Sequence, residues 1–234
     1  MTYTELLGLL AGVALILVSC LGYKLFYKKE LIRSFDGWTL SFGGLGALLT
    51  ILGAHMVLTL PIPAPNVFKN ILFGGPPLVF GVLLLIAAIY LWRRGDELTD
   101  MLRGGREKAE AALNRVLEAA RPASWIVFAI GLAAAGVAVG AFRNNIFGTA
   151  PSQEPVLGTV PGGLVTFYVT MSLYVLPALG ALLAPLAVHT KNRNVSGLVW
   201  LAWLLGGIGL LLLGAFVFFA HIEMEYNFRA TAAG

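Results

Sequence analysis

Six long apolar runs restrict this chain more than any other feature. They cover residues 6–25, 38–60, 73–92, 125–142, 164–188 and 195–220, and none has Asp, Glu, Lys or Arg in its interior. A helix needs ~20 mainly apolar residues to cross the hydrocarbon core of a bilayer. Inside that core every backbone N–H and C=O has to be satisfied within the segment, which a helix does. The runs therefore predict an all-α, polytopic transmembrane helix bundle of six spans, one integral membrane domain over residues 1–234. The chain is 58% hydrophobic and 12% charged, roughly half the charged share of a soluble domain. The lipid bilayer is its first partner. The net charge of +4 does not point to nucleic acid, because the charges lie in the gaps between runs, as topology signals do.

The gaps have distinct characters. Pro61, Pro63 and Pro65 stop the second run, and Asn66 to Pro77 reads as a tight loop leading into the third, with a kink at Pro76-Pro77. Between the third and fourth runs, residues 106–121 place Ala109, Ala112, Leu113, Val116, Leu117 and Ala120 on one helical face. That spacing predicts a short amphipathic helix in the third loop, lying on the membrane surface or solvated as a connector. Gly43, Gly44, Gly46 and Gly53 thin the second helix, and Gly136 and Gly140 stand at GxxxG spacing in the fourth. Such faces pack closely within a bundle or against a partner helix. Pro177 and Pro185 predict bends in the fifth. Cys20 ends Leu17-Val18-Ser19-Cys20, a stretch with the form of a lipidation box, but Leu21 and Gly22 continue the apolar helix. It is expected to be a packing residue.

Six spans put both termini on one side. The first, third and fifth loops hold thirteen Lys and Arg, and the opposite side holds three, Lys69, Arg143 and Arg229. By the positive-inside rule the three basic loops are cytoplasmic, in the cell membrane, and both termini face out. His55 then lies ~25 Å along the second helix from Trp38, at 1.5 Å per residue, near the outer level. His221 ends the sixth helix at the same level, with Met224 and Glu225 just beyond. His55, His221, Glu225 and Met224 have the ligand types for copper or zinc, or for axial ligation of haem. Their spacing reproduces no metal motif such as His-Glu-x-x-His, and the alternative is a set of hydrogen-bonding structural residues.

The stretches Gly53-Ala54-His55-Met56 through Pro61, Asn70-Ile71-Leu72-Phe73-Gly74 and Phe80-Gly81 resemble an uncharacterised family of multi-pass bacterial and archaeal membrane proteins, classed as a domain of unknown function. The resemblance covers helices 2 and 3. It implies a polytopic protein with a recurring His in helix 2, and no activity.

Three functions fit. The first is an accessory subunit of a larger membrane complex, respiratory or redox, without catalysis of its own, packed against other membrane subunits or a second copy. The second is a metal- or haem-binding redox protein using the outer His/Glu set. The third is a small permease for a neutral solute. The apolar runs offer no buried charge for a proton relay or ion coupling.

Overall fold

The computed structural model describes residues 2–64, 66–144 and 164–232, and their side chains except at 2, 3, 30, 164–170, 221 and 223–232. The described chain is helical, with no strand. The helices are α1 (Thr2–Tyr27), α2 (Asp36–Thr59), α3 (Phe68–Arg103), α4 (Arg106–Asn144), α5 (Leu164–Thr190) and α6 (Arg193–Ala232), with one 3-10 turn at Lys29–Leu31. All six are long and apolar enough to cross a membrane, so this is a multi-pass membrane protein. Each contacts its neighbour in sequence, and α6 returns to α1, which closes the six into a ring.

Helices 3 and 4 are longer than the apolar runs foretell. The 36 residues of α3 and 39 of α4 exceed what a ~30 Å core needs at 1.5 Å per residue. They meet at a tight turn through Gly104 and Gly105, the latter at φ +96°, where a side chain would be strained. The stretch 106–121 is helical as its periodicity predicts, but it is the first part of α4, which runs on through Pro122. Its apolar residues Ala112, Leu113 and Leu117 join the core that contains Ile32 and Phe35. Protein covers that face. The kink-prone third run likewise begins earlier, at Phe68, and stays helical through Pro76 and Pro77.

Glycine sets the closest helix pairs. On α2, Gly46 and Gly53 are seven residues apart, and so are Gly74 and Gly81 on the antiparallel α3. A Cβ on Gly53 would come within 2.8 Å of the Gly74 carbonyl oxygen, and one on Gly81 within 2.6 Å of the Thr50 nitrogen. Gly12 of α1 stands equally close to Gly207 and Leu211 of α6, and a Cβ on Gly131 of α4 would come within 3.0 Å of Leu182 and 3.2 Å of Ala178 of α5. Such contacts are the dispersion gain available to helices already surrounded by apolar solvent. The predicted GxxxG face is different: among the described residues, a Cβ on Gly136 or Gly140 would meet nothing within 4 Å. The inner face of α4 is instead Gly131, Ala134, Ala138 and Ala141, all buried.

Polar contacts tie the end of the ring that carries the α3–α4 turn, the hairpin end. Lys29 Nζ lies 2.5 Å from Glu110 Oε1, Arg103 donates to the Arg33 carbonyl at 2.9 Å, and Lys191 donates to Asn114 Oδ1 at 2.6 Å. At the opposite, terminal end, Leu60 takes the left-handed conformation that stops α2 before Pro61. Asn70, fully buried, then staples the loop. Its Oδ1 accepts from the Ile62 N–H, and its Nδ2 donates to the carbonyls of Ile62 and Val67, each at 2.9 Å.

Two outcomes follow for stability in detergent. Gly53→Leu has to part α2 from α3 and should lower the melting temperature, by an overpacking cost of about 1–3 kcal/mol. Gly44→Leu, where a Cβ meets open space, should leave it unchanged. The second outcome concerns pH. The hydrogen bond from Lys29 holds the Glu110 carboxyl below its usual range. A depressed carboxylate contributes stability above its unfolded pKa and loses it as pH falls through the folded value. Acidification below the ordinary carboxylate range should therefore cost the native protein slightly more than Glu110→Gln, by no more than about 1 kcal/mol with Glu110 half exposed. Melting curves across pH measure that difference.

A candidate apolar ligand chamber

The three tight pairs, α2 with α3, α1 with α6 and α4 with α5, leave space between them. It is a chamber of about 800 Å³ lined by all six helices and by Phe35. On α1 the lining positions Thr4, Gly8, Ala11, Leu15, Val18, Gly22 and Leu25 repeat at alternating steps of four and three, one continuous helical stripe. Several are small, so this wall is set back. A Cβ on Gly8 would meet nothing within 4 Å. Across the chamber, Phe80, Leu83 and Ala87 of α3 face it, as do Ala120, Ala123 and Val127 of α4.

Two seams of the ring are loose, α1–α2 and α3–α4; of the two, α3–α4 carries exposed chamber-lining residues. Helices α3 and α4 leave a common turn, yet they touch far less than α2 and α3 or α4 and α5 do. Ile86 on α3 and Ala119 on α4 both line the chamber and are both exposed. They mark the two edges of a side opening. Ile86 belongs to the exposed apolar stripe of α3 with Val79, Val82 and Ile89, so the opening faces lipid.

Polar groups are few and sit toward the ends. At the hairpin end are Tyr90 and Trp200. The Tyr90 hydroxyl and the Trp200 indole N–H are buried without a hydrogen-bond partner among the described residues. Trp200 packs beside Phe26 and Trp203, with ring centroids 5.9 and 5.5 Å away. The Trp203 N–H, by contrast, donates to the Pro177 carbonyl at 3.2 Å. At the terminal end, Thr4 and Glu5 line the chamber, and Glu5 is 6% exposed. Just beyond Tyr90, Arg94 Nη1 lies 3.1 Å from Glu97 Oε2, and Arg115 of α4 bonds the other oxygen of the same carboxylate.

Of the residues expected to bind metal, His55 alone has a described side chain. His55 is exposed on the outer face of α2, in line with Leu48, Ile51 and Leu58. Its neighbour Met56 turns inward and is fully buried. The side chains of His221, Met224 and Glu225 lie outside the described residues, and α1 stands between α2 and α6 in the ring. Among the described residues no three His, Cys, Asp or Glu gather as a metal site. His189 lies against Trp125, centroids 5.9 Å apart. Cys20 is half-buried.

Sequence reasoning missed the chamber, and with it Tyr90, Trp200 and Glu5. One signal was available: the four-three stripe of small residues on α1. It looks the same whether a helix faces another helix or a void. No curated protein and no solved structure matches the chain. A family model described as a protein of unknown function, DUF981, matches residues 1–224, far beyond the two helices that carry the sequence resemblance, and the chain belongs to that family.

Proposed function

We propose that this protein binds a long-chain amphiphile, taking it sideways from the membrane between α3 and α4 into the central chamber. The chamber carries the reading. Its volume, about 800 Å³, falls in the range of small-molecule sites, about 300–1,000 Å³. Packing contacts forgone around an empty apolar void cost stability, and the cost grows with the volume left unfilled. Water would find few polar partners on these walls. An apolar chain fills the space at no such cost, and the opening faces its source. The basic hairpin end is the cytoplasmic side in this reading, and both termini lie outside.

A second reading, an accessory subunit of a larger membrane assembly, is supported by Gly136 and Gly140. They offer a thin, unfilled strip on the outer face of α4, the kind of surface on which another membrane helix sits.

Protein purified in mild detergent should carry a long-chain molecule that native mass spectrometry detects. Gly8→Phe places a ring in the chamber without meeting the backbone. It should fold and lose most of that bound mass. Wild type that is stable and carries no such molecule, even after incubation with membrane lipid extract, would sink the reading. For the accessory reading, Gly136→Leu should strip partner subunits or a second copy from the purified complex; an unchanged complex mass would count against it.

A further inference from the structure

The two ends of the chamber differ in charge, and the difference bears on which head the amphiphile carries. The inference rests on the lipid-binding reading above. Tyr90, Arg94 and Glu97 stand at i, i+4 and i+7 on α3, one face of the helix. Arg115 reaches the same Glu97 from α4 and adjoins Val116, which lines the chamber. Two guanidinium groups therefore share one carboxylate at the hairpin end of the side opening. Arginine keeps its charge at any physiological pH, so these three side chains together carry one net positive charge. The three side chains are 40–51% exposed, open to an incoming group. The Tyr90 hydroxyl faces no partner among the described residues.

We infer that the amphiphile has an anionic head, phosphate or carboxylate, held by Arg94 and Arg115 with the Tyr90 hydroxyl as an additional donor, and its chain in the chamber. Guanidinium groups bind either oxyanion through paired N–H donors. A wholly apolar occupant would leave those donors and the excess charge unused.

The test titrates the full chain in mild detergent with phosphatidylglycerol or phosphatidylcholine of identical acyl chains, and with palmitate. Bound mass and melting temperature are read together. Phosphatidylglycerol should bind roughly tenfold tighter than phosphatidylcholine, the scale of a charge-assisted hydrogen bond. Palmitate binding as well as phosphatidylglycerol would support a carboxylate head, and palmitate failing while phosphatidylglycerol binds would support a phosphate. Arg115→Gln should erase the preference. Tyr90→Phe, which removes only a hydroxyl, should weaken phosphatidylglycerol severalfold with no change in the lipid-free melting temperature. Glu97→Gln frees both guanidinium groups and should tighten phosphatidylglycerol, an effect that a purely structural ion pair would not give. Equal affinity for the two phospholipids, or weaker phosphatidylglycerol binding by Glu97→Gln, overturns the head assignment and leaves the chamber reading standing. No binding of any of the three ligands, with Gly8→Phe indistinguishable from wild type, overturns both.

Discussion

In a bilayer, two apolar helices gain almost nothing by exchanging lipid for each other, so association depends on how closely their backbones approach. This ring depends on that approach at three seams. Gly46 and Gly53 meet Gly81 and Gly74 between α2 and α3, Gly12 meets Gly207 between α1 and α6, and Gly131 meets Ala178 and Leu182 between α4 and α5. Where glycine draws helices into pairs, space opens where the pairs face one another. The chamber and the tight seams thus share one cause. Larger residues at the seams would push the pairs apart and alter the cavity.

The spans were legible because hydropathy depends only on local composition, and all six apolar runs lie on helices that can cross a membrane. Their pairing was less legible. The matched sevens, 46 with 53 and 74 with 81, are present in the sequence, but a seven-residue step becomes a contact only once the partner and its register are known. Gly136 and Gly140 show the opposite hazard. They have the familiar GxxxG spacing and face outward, while Ala134, Ala138 and Ala141 pack inside. His55 drew attention as the one ionisable side chain in a long run. Helix geometry turns it outward and its neighbour Met56 inward, since adjacent residues sit about 100° apart on a helix. The chamber left only the ambiguous stripe on α1, because it is defined by which helices fail to touch.

The chamber's chemistry is lopsided. Its middle is hydrocarbon-like, its terminal end holds Thr4 and the buried Glu5, and its hairpin end holds Tyr90, Trp200 and the shared Arg94–Glu97–Arg115 contact. A molecule with one polar end can match such a site in a single orientation. A bulk solvent of lipid chains would have no such preference. The arginines also sit on the two helices that border the opening, so binding at the head and the width of the entrance act on the same pair of elements.

The ring closes by joining α1 to α6, and this has a consequence for biosynthesis. Helix α1 has its broadest contact with α6, so in synthesis Gly12 waits for Gly207 while the four helices between them are made. The α2–α3 seam has the reverse character: it joins neighbours through a short loop and can assemble as soon as both are inserted. Long sequence separation between partners slows assembly. If helices insert in chain order, the α2–α3 hairpin would be complete while the ring is still an open arc, its future interior shared with the surrounding lipid.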